Sequence, residues 1–534
     1  MTANDNTPAR VRVAPSPTGD PHVGTAYMAL FNKALADSTG GSFILRVEDT
    51  DRNRYVADSE QQIYDSLAWL GLDPDESPAK GGPSGPYRQS ERTEMYRHAA
   101  ERLVAEGSAY KCFCTAERLA TLRKIQQAEK SGHIGYDGLC RSLTSEQVAQ
   151  KEAAGEECVV RLKMPREGEI VGKDLFRGDL KFAAAEQQDA VLLKSDGYPT
   201  YHLANIVDDN AMGITHVIRA EEWIPSLPLH VELYRAFGWD APVFAHMPLL
   251  RNADKSKISK RKNPTSLHWY RDAGFLPEAL RNFLALMGYS MPDGREMFGY
   301  QEMVESFDLE RVNIGGPVFD LRKLHWLNGE YIRALSVEQL EARLLEYAPR
   351  LMHREKEFAD LPEEELPKEA FLQDFEIKRR KRSRVLAGLA PELMQRAEKE
   401  PGSLLPIMEL VIERIHTLSE AADYLPMFFS SEFDYTPDDF IQKKGTLAQA
   451  KRSLETLRGL VSGLEFTDAD FVKTLDTAAR LAAEEQQIKL GQFLGPIRMA
   501  LTGSKVSPPL MESMVILGAE ETLSRLDRAI ALLG

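Results

Sequence analysis

The chain has 534 residues, 43% hydrophobic and 28% charged, with four cysteines and a net charge of −15, so several domains and a large core are expected. No run of about 18 apolar residues is present, the start "MTANDNTPAR" has no apolar h-region, and four cysteines make no disulfide framework; a cytoplasmic protein with no membrane partner is expected. The acidic total argues against nonspecific DNA binding but leaves room for nucleic acid held by local basic patches.

Strand and helix alternate over the first 90 residues. "RVRVAPSP" has the β-branched pattern of a strand, and residues 22–38 predict a helix that stops at Gly40-Gly41. "FILRVEDTD" (43–51) returns as a second strand; Ile63, Leu67 and Leu70 then share one helical face, with Asp58 or Ser59 as its cap. This order predicts a doubly wound parallel, Rossmann-like α/β sheet. Residues 91–189 are polar and mixed and read as an insertion. The alternation resumes at 190–255, where "AVLLKSDGYPTYHLANIVDDNAMGITHVIRAEEW" predicts strand, turn, helix and strand, and "VFAHMPLL" (243–250) another strand. A polar lysine loop and a short domain are expected over 256–336. From 337 to 534 the strand signals disappear; Leu454, Leu457, Val461 and Leu464 keep a helical stripe, "VKTLDTAARLAAEEQQI" (472–488) reads as helix, and an all-α region is expected.

Two stretches carry chemistry. In "RVAPSPTGDPHVGT", three prolines and Gly19 fix a loop at a helix entrance, next to His22 and Gly24. Helix N-termini beyond the carboxyl ends of parallel strands favour anions, so Gly19, His22 and Gly24 suggest a triphosphate seat, although a proline-stiffened turn has the same appearance. "DKSKISKRK" (254–262) places Lys255, Lys257, Lys260, Arg261 and Lys262 on a loop after the last strand. A solvated charge run is the plain reading; a mobile cationic loop also suits a reaction in which pyrophosphate leaves ATP.

"PHVG" resembles the first signature of class I aminoacyl-tRNA synthetases and "KISKR" (257–261) the second. With "LRVEDTD", "GPYRQSER", "DGYPTYHLANIVDD" and "VIRAEEW", residues 10 to about 335 are similar to bacterial glutamyl-tRNA synthetases, and "KLGQFLGPIRMALTG" (489–503) resembles their anticodon-binding end. Thr25 replaces a second histidine, and Ile258 and Arg261 vary the lysine loop, as that family tolerates. The resemblance implies a ligase that joins glutamate to tRNA(Glu) through an adenylate, with magnesium accompanying ATP, in a cytoplasmic monomer. It implies an acceptor-arm function for 91–189, stem contacts for 256–336 and anticodon binding for 337–534. Carried over by position, His22, Gly24, Lys257 and Lys260 serve catalysis, and Thr18, Gly19, His22, Gly24, Ser259 and Lys260 bind ATP. Arg12, Ala14, Ser16, Glu48, Tyr201, Asn205 and Arg219 bind glutamate. Arg12, with Arg219 as the other candidate, is expected to hold the side-chain carboxylate through a bidentate fork, and Glu48 the ammonium.

Cys112, Cys114 and Cys140 fall in the insert, the first two two residues apart and the third 26 on (140 − 114). Such thiols suit a closed tetrahedral zinc, and the resemblance supplies Tyr136 as fourth ligand, with His133 or water as alternatives, since Ser142 stands where some members have histidine. Three incidental thiols remain the alternative, and Cys158 reads as a buried strand thiol. "IKRRKRSR" (377–384) suits tRNA or is a solvated face, and Arg414 aligns with an anticodon-reading arginine. A nucleotide-binding adapter without catalysis, and a truncated tRNA-modifying relative, are the rival readings; intact His22, Gly24 and Lys260 oppose the first, and the long helical region the second.

Overall fold

The computed structural model describes residues 7–534 except 52, 53, 55, 57, 131–133, 259–262, 444 and 467–469, and the side chain of residue 355. It divides into two units: residues 1–260, 265–268 and 281–320 form the first, and 261–264, 269–280 and 321–534 the second.

In the first unit, β1 (Arg10–Val13) and β2 (Ser42–Leu45) pair in parallel. Between them α1 (Val23–Thr39) ends at Gly40, whose φ of 64° closes the helix. Gly41 is required for a different reason. A Cβ there would lie 1.9 Å from the Ala9 carbonyl oxygen, so only glycine lets β2 start beside β1. After β2, α2 (Ser59–Trp69) buries Ile63 and Leu67. Neither expected residue caps it. Asp58 holds the cap position without a side-chain bond, and Ser59 Oγ instead bonds both the N–H and the carbonyl of Gly19.

A three-stranded antiparallel sheet follows, built of β3 (Ala109–Cys112), β4 (Val159–Leu162) and β7 (Val191–Leu193) in the order β3-β4-β7. A four-stranded sheet joins β5 (Glu169–Asp174), β6 (Gly178–Ala183), β8 (His216–Ala220) and β9 (Val243–Met247) as β6-β5-β9-β8, with β8 and β9 parallel. The Arg10 N–H donates to Thr215 Oγ1 and the Thr215 N–H to the Arg10 carbonyl, which ties the start of β8 to β1. Strand pairing thus departs from the boundary read at 189/190. The strand at 191–193 pairs with β4 in the insert's sheet, whereas the β5–β6 hairpin crosses over to β9 through Asp174 and Phe244. Gly172 permits this: a Cβ on it would meet Leu227 Cδ2 at 2.5 Å, so a larger residue would push β5 off the helix Leu227–Phe237.

In the second unit no strand occurs among the described residues. Its helices, including Val337–Leu351, Ala370–Lys399, Leu447–Val461, Phe471–Glu485 and Leu510–Leu532, enclose two apolar cores. Leu454, Leu457 and Val461 are buried and Leu464 packs against the same core, as their spacing predicted. No helix among the described residues is long and apolar enough to cross a membrane.

Candidate active site

One cavity of about 360 Å³ opens where β1, β2 and β8 end. Arg12, Ala14, His22, Gly24, Glu48, Tyr201, Asn205, Arg219 and Lys257 all line it, so residues 245 positions apart in the chain (257 − 12) meet as the sequence reading required. Ser16 lines an adjoining cavity of about 470 Å³ that shares Ala14, Glu48, Tyr201 and Trp223. Thr18 and Gly19 line neither; they shape the loop, with Thr18 N–H on the Ser16 carbonyl and Gly19 held by Ser59. Ser259 and Lys260 lie outside the described residues.

His22 is the N-cap of α1, and its Nδ1 accepts the Gly24 N–H at 2.9 Å. The imidazole proton then sits on Nε2. A Cβ at Gly24 would come within 3.1 Å of that Nδ1, so any larger residue would press on the imidazole. The remaining first-turn N–H groups are occupied too: Val23 donates to the Thr265 carbonyl, and Thr25 and Ala26 to that of His22. The seat expected from open helix N–H groups is therefore reduced to the His22 imidazole and the helix dipole.

The two arginines differ. Arg12 Nε and Nη2 both donate to Asp209, at 3.2 and 3.0 Å, and Nη2 also reaches Asn205 Oδ1. Arg46, fully buried, takes the same aspartate at 2.7 Å and Asn205 Oδ1 at 2.8 Å. Asn205 Oδ1 is thereby committed, and its Nδ2 is left buried without a partner. Arg219 Nη2 is likewise buried and unpartnered. Two unmatched buried donors on residues lining one cavity cost free energy unless an acceptor enters, and a carboxylate is the acceptor that pairs most strongly with a guanidinium. The Tyr201 hydroxyl lies 3.4 Å from Arg219 Nη1, and the Tyr201 ring packs on Trp223 with centroids 4.4 Å apart.

Glu48 supplies the opposite charge. Burial pushes its carboxyl up to about 7, against the pull of Arg46 and Arg12. An entering ammonium would restore the ionised form. Lys257 is ion-paired with Glu222, and Arg251 with Glu221 at 2.7 Å, so the described start of the lysine loop is tied to the residues that follow β8.

The cysteine cluster is a separate centre in the insert. The sulfurs of Cys112, Cys114 and Cys140 lie within 4.8 Å of one another, and Cys114 and Cys140 are 3.6 Å apart. Tetrahedral zinc with bonds of about 2.3 Å holds its sulfurs about 3.8 Å apart, so the donor set fits a structural zinc. Tyr136 Oη is 3.4 Å from Cys112 Sγ, and its ring lies 4.1 Å under the Arg161 guanidinium. His133 lies outside the described residues. Cys158 precedes β4 and is half-buried, its thiol pushed up by that burial.

Sequence reasoning missed Asp209, Arg46, Trp223, and His246 with Asp174 behind Arg219. The paired acids of "DD" at 208–209 were a visible signal: Asp208 pairs with Arg92 at 2.7 Å, Asp209 serves Arg12 and Arg46, and Arg46 Nε also lies 3.5 Å from Asp208.

Comparison with known proteins gives the same address. The family described as class I tRNA synthetases (E and Q), catalytic domain, matches residues 8–326, and an anticodon binding domain matches residues 384–530. The glutamate–tRNA ligase of Acidothermus cellulolyticus is 50% identical over 528 residues, covering 98% of this chain and 95% of its own. That of Thermus thermophilus is 47% identical over 521 residues, covering 97% and 99%. A crystal structure of a glutamate tRNA ligase from Elizabethkingia meningosepticum, in complex with its amino acid, superposes with a TM-score of 0.77 at 33% identity, across 99% of this chain and 100% of that one. A match that runs through both the cavity and the helical region leaves one assignment: this chain belongs to the glutamate–tRNA ligases, a family of class I aminoacyl-tRNA synthetases.

Proposed function

We propose that the cavity activates L-glutamate with ATP and that the chain transfers the glutamyl group to the terminal adenosine of tRNA(Glu). The α-carboxylate oxygen attacks the α-phosphorus, the bond to pyrophosphate breaks, and glutamyl-adenylate forms. A ribose hydroxyl of the tRNA then attacks the acyl carbon; its proton is lost, AMP leaves, and an ester remains. No covalent enzyme intermediate is needed, so the protein positions reactants and stabilises charge.

The observation that carries this reading is the set of buried, unmatched donors on Arg219 and Asn205 in a cavity that also holds the Glu48 carboxyl. Arg219, Tyr201 and Asn205 take the side-chain carboxylate, Glu48 the ammonium, and Arg12, held by Asp209, the rear wall of the pocket. That assignment reverses the order expected of the two arginines. Ala14 and Ser16 line the path to the amino acid, and Thr18 and Gly19 support it. ATP lies toward His22 and Gly24, with its leaving phosphates met by Lys257, Ser259 and Lys260; the part of Ser259 and Lys260 rests on the resemblance alone. Magnesium accompanying ATP would supply positive charge against the phosphates.

In the insert, Cys112, Cys114, Cys140 and Tyr136 would hold zinc and thereby fix the loops that meet the tRNA acceptor arm. Residues 1–90 and 190–255 serve as the catalytic halves, with strand 191–193 lent to the insert's sheet and the β5–β6 hairpin added from the insert; 256–336 serves as the stem-contacting part, and 337–534, with Arg414, as the anticodon reader. The protein works in the cytoplasm as a monomer. Pyrophosphate exchange tests the core of the reading. Exchange should require glutamate and ATP and stay near background until tRNA(Glu) is added, because tRNA completes the pocket by induced fit. Absence of glutamate-dependent exchange in its presence would refute the activity.

A further inference from the structure

Behind Arg219 stands a line of side chains for which the reaction has no direct use. Arg219 on β8 and His246 on β9 are register partners in the parallel pair, and Arg219 Nε donates to His246 Nε2 at 3.0 Å. On the other side of that ring, His246 Nδ1 lies 2.6 Å from Asp174 Oδ2, which also accepts the His246 backbone N–H; Oδ1 accepts the N–H groups of Phe176 and Arg177. Arg219 Nη1 meets His230 Nδ1 at 3.2 Å, and His230 Nε2 meets His202 Nδ1 at 3.1 Å.

Every proton in this line is determined by its neighbours. A guanidinium only donates, so His246 Nε2 and His230 Nδ1 must both be bare. His246 then carries its proton on Nδ1, aimed at Asp174, and His230 carries its own on Nε2, aimed at His202. Either histidine in its other tautomer would turn an N–H against an arginine N–H. A charged ring would likewise turn an N–H against the guanidinium on either histidine. Burial pushes His202 down to about 4 and holds His230 and His246 below the usual range, with Arg219 adding to the effect in each and Asp174 opposing it at His246.

We propose that Asp174 and His246, assisted by His230, are positioning residues that hold the Arg219 guanidinium so that Nη2 is presented to the substrate's side-chain carboxylate, and that they thereby set glutamate affinity and the preference over glutamine. This rests on the reading of Arg219 as the carboxylate-binding cation. The β5–β9 crossing gains a purpose from it: Asp174 is the residue at which β5 meets β9, so the departure from the expected strand boundary delivers the carboxylate that fixes the His246 tautomer.

The test is steady-state charging of tRNA(Glu) by the full chain, with KM and kcat measured separately for glutamate, ATP and glutamine. His246→Leu removes the acceptor and should raise the glutamate KM at least tenfold, leave the ATP KM within about twofold, and narrow the preference over glutamine. His246→Gln keeps an acceptor oxygen of similar reach and should recover most of that loss. Asp174→Asn, which can turn the tautomer round, should reproduce the His246→Leu effect, and the double variant should add little to it. Equal loss in the Leu and Gln variants would reduce His246 to packing and overturn the proposal, as would a wild-type glutamate KM in Asp174→Asn. Should the Leu variant fail to fold, the Gln and Asn variants decide the matter. Arg219→Gln separates the two levels: an unchanged glutamate KM there overturns the carboxylate reading and this proposal together, whereas a raised KM with unaffected His246 variants overturns this proposal alone.

Discussion

Glu48 shows how a single side chain ties recognition to pH. Burial raises its carboxyl to about 7, so it loses its charge as pH falls below neutrality. The substrate ammonium then loses its partner, and kcat/KM for glutamate should decline by up to about tenfold per pH unit below 7; in Glu48→Gln the step near pH 7 should vanish from the profile. Stability carries the opposite sign. A carboxyl raised in the folded state favours folding below its unfolded pKa, and that contribution is lost as pH rises through 7. Glu48→Gln should therefore be more stable to unfolding than the parent at pH 8, by about 3 kcal/mol at most, and show little gain near pH 4. The two arginines separate at this scale as well. Glutamine offers Arg219 one carbonyl oxygen and an amide that cannot accept, which costs on the order of 2–4 kcal/mol, roughly 30- to 1000-fold in kcat/KM. Arg219→Gln should collapse that preference, measured as the ratio of the two constants. Arg12→Gln should instead lower both constants together and cost about 3–5 kcal/mol of stability, because Asp209 loses a buried partner.

The element that matters most is the loop from β1 into α1. Its prolines do what the sequence suggested and fix a path, but the path is anchored by Ser59, a residue expected to cap the next helix. Ser59→Ala leaves the Gly19 N–H and carbonyl without that partner and should cost about 1–3 kcal/mol, with a raised KM for ATP read in the exchange assay. Gly24→Ala places a Cβ 3.1 Å from His22 Nδ1 and should lower kcat at least tenfold while the melting temperature stays close to the parent's. A large loss of stability with unchanged kcat would refute that account. Elements were the most legible level of the sequence: α1 lies within one residue of its expected span, and the helix expected over 472–488 forms at Phe471–Glu485. Periodicity reports burial of one face, and these helices bury one face. Strand partners were less legible, because 191–193 has the same apolar pattern whether it joins one sheet or another.

At the scale of the whole molecule, two features read as surface chemistry divide. In 377–384, Arg379 and Arg380 bind Glu376, Arg382 binds Asp423, Arg384 binds Asp360 and Lys378 binds Asp374, which makes most of this run internal to the helical unit. Lys381 is the one of the six with no ion pair among the described residues. Arg414 is exposed and, among the described residues, donates only to the Leu410 carbonyl. The cysteines hold together as a group. Protein purified without chelator should contain about one zinc per chain, Cys112→Ser should lose it, and tRNA charging should then fall further than the melting temperature predicts. Elemental analysis showing no zinc in the parent protein would remove the site.

From the sequence alone followed the α/β-then-helical organisation, which rests on local patterning, and, through motifs that resemble those of class I synthetases, the family, its reaction and nine of the residues that line the cavity. The tertiary structure decided what each residue is free to do. Arg12 and Arg219 are the same residue type at strand positions, and nothing local distinguishes them; Asp209, brought in by a helix almost 200 residues later, occupies the first, while His246 and Asp174 orient the second and leave one nitrogen open. Hydrogen-bond capacity is a property of neighbours in space, so it becomes visible only when the chain has folded.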